Sequence, residues 1–131
     1  MRRLLILAIL LLYPTSGYAD SFRVGKHIAS TTTTNLVVAV AGKHVQLNTA
    51  TVCMDNGGST GGFALSSTAG TNIFGTSVVW SLAAGQCITF PPKPYGPGAF
   101  YGNPTAAGTG LDIITSTGAG PYEVYIEAFQ Q

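Results

Sequence analysis

The stretch Thr34-Asn35-Leu36-Val37-Val38-Ala39-Val40-Ala41-Gly42-Lys43-His44-Val45-Gln46-Leu47-Asn48 reads as two alternating strands about a turn. Over residues 34–40, Leu36, Val38 and Val40 fall on one side, the period-two pattern of a strand with one face in a core. Ala41-Gly42 follows as a tight turn. Alternation resumes over residues 43–53, with Val45 and Leu47 on one side and His44, Gln46 and Asn48 on the other. Two such runs about a short turn predict a hairpin.

The same signals recur outward from this stretch. Over residues 22–28, Phe22, Val24 and Ile28 share a face; residues 62–66 place Phe63 and Leu65 inward. Residues 76–82 align Val78, Trp80 and Leu82, and residues 87–90 align Ile88 and Phe90. Residues 91–98 hold four prolines and make no interior strand. Residues 111–115 and 122–129 predict a closing hairpin about residues 117–121. No window of about a dozen residues carries a 3.6-residue apolar period, and Gly or Pro interrupts every few positions. About eight short strands at this spacing predict an all-β chain, a single antiparallel β-sandwich or jelly roll. Its expected core is Leu36, Val38, Val40, Val45, Leu47, Phe63, Leu65, Val78, Trp80, Ile88, Phe90, Ile113, Val124 and Ile126.

The 131 residues suffice for one domain. Only 8% are charged, against roughly 25% in an average soluble protein. Six Lys and Arg against five Asp and Glu give a net charge of +1. That excludes the basic footprint of a nucleic-acid partner, and 46% hydrophobic content excludes a charged disordered chain.

Residues 1–19 read as a signal peptide. Arg2 and Arg3 open it, residues 4–12 are an unbroken apolar run, Pro14 breaks a helix, and Gly17-Tyr18-Ala19 offers a small-x-small cleavage site. Nine apolar residues are too few to span a bilayer, which takes about 20, so no membrane span is expected after cleavage. Residues 20–131 then form the β-sandwich domain, secreted, extracellular or at the cell surface.

Cys53 and Cys87 both lie in that domain. An even cysteine count in an exported small domain predicts one disulfide; two free buried thiols are the rival reading. Closing this loop is worth roughly 3–4 kcal/mol by chain entropy. His27 and His44 lack zinc-ligand spacing, and Cys-x-x-Cys is absent.

Nothing in the sequence assembles a catalytic group, a cofactor site or a metal site, and the chain reads as a non-enzyme. Glu123 and Glu127 share a strand face but stand ~13 Å apart, beyond the reach of a glycosidase pair. No Gly-x-Ser-x-Gly elbow is present. Asp55-Asn56-Gly57 reads as a turn, without the further carboxylates of a calcium loop. Tyr95, Phe100 and Tyr101, in the Pro/Gly-rich stretch 91–104, are either a flap over the core or an exposed binding surface.

The Thr-rich lead Thr31-Thr32-Thr33-Thr34, the apolar strand, Ala41-Gly42-Lys43 and the alternating strand after it resemble small jelly-roll proteins of tailed-phage particles. Ala69-Gly70-Thr71-Asn72-Ile73-Phe74-Gly75 and Ala83-Ala84-Gly85-Gln86 resemble their middle hairpins, and residues 122–129 their closing strand. The resemblance implies a structural, self-associating or decorating role without catalysis, in a virion. The export signal departs from that pattern.

Two functional classes follow. The first is a non-enzymatic exported structural protein that self-associates as a surface layer, filament or particle decoration, with copies of itself or another structural protein. Residues 31–40 hold no charge, so Thr34, Val37 and Ala39 mark the candidate assembly edge, provided that strand is not already paired on both sides. The second is a secreted module binding carbohydrate or protein through Tyr95, Phe100, Tyr101 or Trp80. Mass spectrometry of the exported chain is expected to give an N-terminus at Asp20; intact Met1 on secreted material would contradict the leader.

Overall fold

A computed structural model describes residues 20–29, 33–74, 80–91, 102–116 and 120–131. The leader 1–19, Val78, Tyr95, Phe100 and Tyr101 lie outside the described residues. The strands are β1 (Asp20–Ile28), β2 (Thr33–Val37), β3 (Val45–Ser59), β4 (Gly61–Ser67), β5 (Trp80–Leu82), β6 (Cys87–Phe90), β7 (Leu111–Thr115) and β8 (Gly120–Gln130). One sheet runs β1-β8-β3-β6 and the other β2-β7-β4-β5, with every pairing antiparallel. Pairing first with last, second with seventh, third with sixth and fourth with fifth is the winding of a jelly roll.

That winding overturns both expected hairpins. β2 and β3 lie in different sheets, as do β7 and β8. The turn at Ala41-Gly42 does form, with Gly42 at φ 76° and the Lys43 N–H donating to Val40 O at 3.1 Å, but it is a corner between sheets. A chain changing sheets and a chain reversing within one call for the same Gly-rich punctuation. Among the described strands, only β4 and β5 are consecutive and paired.

The inner faces meet in one core. β3 contributes Val45, Leu47, Ala50, Val52 and Met54; β8 contributes Tyr122, Val124, Ile126 and Ala128; β4 and β7 contribute Phe63, Leu65, Leu111 and Ile113. Strict alternation fails at two bulges. A register shift between Leu47 and Thr49 changes the phase of β3, so Ala50 rather than Thr49 faces inward. A second shift, between Asn35 and Val37, buries both Leu36 and Val37 and turns the following residues outward. Val38 is therefore 73% exposed and Val40 42%, both expected in the core, while Val37, expected at an outward edge, is 3% exposed. Gly110 permits this path, since a Cβ there would stand 2.1 Å from Val37 O. Asp55-Asn56-Gly57-Gly58, read as a turn, continues β3 as an irregularity between Met54 and Ser59.

Each lateral side of the sandwich is closed differently. On one, Lys26 of β1 falls in the inward phase between Val24 and Ile28 and donates through Nζ to Asn35 O of β2. An inward-pointing charge is a common guard of an edge strand. On the other, Phe63, Phe74, Trp80 and Phe90 form a cluster from both sheets; the Trp80 ring lies 5.5 Å from Phe63, 4.7 Å from Phe74 and 5.0 Å from Phe90. Trp80 is half-buried there, committed to packing.

Cys53 and Cys87 are bonded to each other and are register partners on β3 and β6. Met54 N–H donates to Gln86 O at 2.8 Å, which leaves 53 and 87 as the close pair that exchanges no backbone bonds. The bridge lies on the outer face and fastens edge strand β6 to its interior neighbour. Cys53→Ala with Cys87→Ala is expected to lose about 2–5 kcal/mol in denaturant unfolding.

Candidate functional site

Two surface regions separate themselves from the rest. The first is the β2 side. β2 has a strand neighbour on one flank, β7, and contains no charged residue. Thr34 is half-buried on it, Val37 is buried, and Ala39 lies exposed just beyond. The bulge thus delivers Val38, Ala39 and Val40 to the surface as a continuous apolar segment. The backbone here is largely committed. Asn35 O accepts from Lys26, Val37 O accepts from Asn35 Nδ2 at 3.1 Å, and Val38 O accepts from Gln130 Nε2 at 3.3 Å. The side chains of 38–40, more than a backbone ladder, are what this side presents.

The second region is the outer face of the β1-β8-β3-β6 sheet. Outward residues of β8 meet partners from β1 across the register: Glu127 opposite Arg23, Tyr125 opposite Gly25 and Glu123 opposite His27. Arg23 Nε stands 3.7 Å from Glu127 Oε1, and Asn48 Nδ2 donates to Glu127 Oε2 at 3.4 Å. His27 Nδ1 and Glu123 Oε1 are 2.5 Å apart. Asp55, brought in by the irregularity of β3, joins them in a set of donor atoms within 4.8 Å of one another. All three are exposed or half-buried, and the His27–Glu123 contact is accounted for as a cross-strand pair between an edge strand and its neighbour.

His44 and Asp112 have separate engagements. His44 Nδ1 bonds Thr105 O at 2.7 Å, while buried Asp112 accepts from Asn35 Nδ2 at 2.7 Å. Sequence reading missed Tyr125 as an exposed aromatic. Its signal was there, because it alternates outward between Val124 and Ile126.

One titrating group bears on stability. Burial raises the Tyr122 hydroxyl above its ordinary 10.0, a hydrogen bond with Ser116 acting the other way. The hydroxyl of this β8 residue donates to Gly62 O of β4 at 3.1 Å, tying one sheet to the other. The folded state holds this proton more tightly than the unfolded state, so its contribution is complete below pH 10 and is lost as pH rises above that value. Alkaline unfolding curves are expected to show this loss above pH 10, and Tyr122→Phe is expected to flatten it.

No family model and no curated protein matches the chain. Among solved structures, it is similar to a protein of Bacillus endospore appendages, described as disulfide-linked pili, at 14% identity and a TM-score of 0.45, covering 86% of this chain and 84% of that one. It is also similar to a protein in the virus-like particle of the extra small virus of the giant freshwater prawn Macrobrachium rosenbergii, at 16% identity and a TM-score of 0.40, covering 91% of this chain and 83% of that one.

Proposed function

We propose that the chain is a non-enzymatic structural protein that is exported by its 1–19 leader and self-associates through the β2 side of the sandwich. The observation carrying this reading is Val38, 73% exposed and directly prolonging an uncharged lateral strand. Soluble monomers ordinarily guard such sides with charge, and exposed apolar segments mark contact sites. Here Lys26 guards Asn35 and nothing charged follows until Lys43. With only 8% charged residues, copies of the chain repel one another little. A second copy, equally neutral and carrying the same segment, is the partner this chemistry fits. The disulfide supports an oxidising compartment, hence an extracellular or cell-surface location; a virion is the alternative location.

The contact works by side-chain packing of residues 38–40 between subunits, since the Asn35 and Val38 carbonyls already have donors. Light scattering on the purified, disulfide-intact chain is expected to give a fixed oligomer or larger assemblies. Val38→Lys and Ala39→Lys are expected to shift it to monomer with an unchanged melting temperature. Val37→Lys, by contrast, buries a charge and is expected to cost stability outright. A chain that stays monomeric at high concentration, with Val38→Lys changing nothing, rejects assembly.

A further inference from the structure

The outer face of the β1-β8-β3-β6 sheet carries an open trough of about 470 Å³, lined by Arg23, Gly25, Thr49, Thr51, Tyr125 and Glu127 among others. We propose that this trough binds a neutral oligosaccharide, with one pyranose ring seated on Tyr125. The site belongs to a different sheet from β2 and is independent of the assembly reading.

Tyr125 is 56% exposed and is the one aromatic among the large hydrophobic side chains exposed on the described residues. It projects from an interior strand, flanked in register by Gly25 on β1 and Thr51 on β3. A Cβ at position 25 would stand 3.2 Å from both Cδ1 and Cε1 of the tyrosine. The Cδ1–Cε1 edge of the ring therefore closes on the glycine, while more than half of the residue remains exposed to solvent. Gly25 has no positive φ to explain it. Glycine within a strand weakens the strand and marks a close approach, and here the approach is that of the tyrosine's ring edge.

The rim supplies hydrogen bonds. Arg23, its side chain 86% exposed, meets Glu127 only through Nε at 3.7 Å, and Asn48 holds the other carboxylate oxygen. The guanidinium keeps donors, and the carboxylate keeps lone pairs, for vicinal hydroxyls. The Thr49 hydroxyl donates to Phe90 O at 2.7 Å, so its oxygen still accepts. A pyranose presents a face of axial C–H groups and an equator of hydroxyls, which matches an aromatic floor inside a polar rim. One cation and one anion in the lining cancel, which favours an uncharged glycan over a phosphorylated or acidic one. A β-1,4-linked chain, flat enough to lie along a sheet, fits an open trough better than a coiled α-linked one.

The test uses cellohexaose, chitohexaose and xylohexaose as probes, with maltohexaose and an oligogalacturonate for comparison. Saturation-transfer NMR on the unmodified protein is expected to place the strongest enhancement on axial ring protons of a β-1,4 probe, and calorimetry to give weak binding. Tyr125→Ala is expected to reduce affinity about tenfold, with Tyr125→Phe retaining it. Gly25→Ser, which displaces the ring without removing it, is expected to weaken binding while near-ultraviolet circular dichroism stays native; this variant carries the test if Tyr125→Ala fails to fold. Absence of transfer and heat with all three β-1,4 probes, or binding that survives both Tyr125→Ala and Gly25→Ser, overturns the proposal. So does preference for oligogalacturonate, or a Tyr125→Ala change confined to oligomeric state, which would assign the ring to a protein contact.

Discussion

Strand β8 sits between β1 and β3, and both depend on it. Its register runs from Asp20 opposite Gln130 to Ile28 opposite Tyr122 on one flank, and from Val45 opposite Gln130 to Ser59 opposite Gly120 on the other. Residues nearly the full length of the domain apart must meet before this sheet has an interior. Such non-local pairing places the loop-closure cost ahead of the contacts that offset it, so a slow, cooperative transition is expected. It also explains why β8 alternates so regularly: Tyr122, Val124, Ile126 and Ala128 are inward, and any slip of one residue would turn all of them to water.

The two sides of the sandwich use different physics for the same purpose. Rings from β4, β5, β6 and the segment after β4 close the β5/β6 side by mutual packing. The β1/β2 side is closed by one lysine reaching across to a backbone carbonyl. Aromatic packing excludes water over an area, whereas a single charged hydrogen bond fixes a point. That difference leaves the β1/β2 side open to further contacts along its length. The fold itself names no activity, because jelly rolls host many; what distinguishes this chain is which side chains its outer surfaces display.

The sequence showed its strand content and its partnering cysteines plainly, and its topology poorly. Alternation marks a strand, but turn residues say only that the chain bends, so Ala41-Gly42 read as a hairpin although it carries the chain to the other sheet. Bulges were equally invisible. Leu36-Val37-Val38 is uniformly apolar, so no polar residue betrays the phase shift after Asn35, and the inward and outward valines were exchanged. The lack of charge along β2 left an edge and a doubly paired strand equally open, and the strand order places it beside β7 alone among the described strands. Tyr125 was legible from its outward place between Val124 and Ile126 and was passed over because an aromatic in a strand is expected to pack; its glycine neighbour, distant in sequence, appears only in the register.

The bridge between Cys53 and Cys87 has a mechanical meaning. Its partners are 34 residues apart, and between them lie β4, β5 and the end of β3. When the chain is pulled from both ends, the covalent line of tension passes from one sulfur to the other and bypasses the enclosed backbone. At the extension of a stretched backbone, roughly 110–120 Å of contour is thereby withheld. Unfolding under such tension gives a short, bounded extension, with the backbone of β4 and β5 outside the covalent path and held through the pairing of β4 with β7.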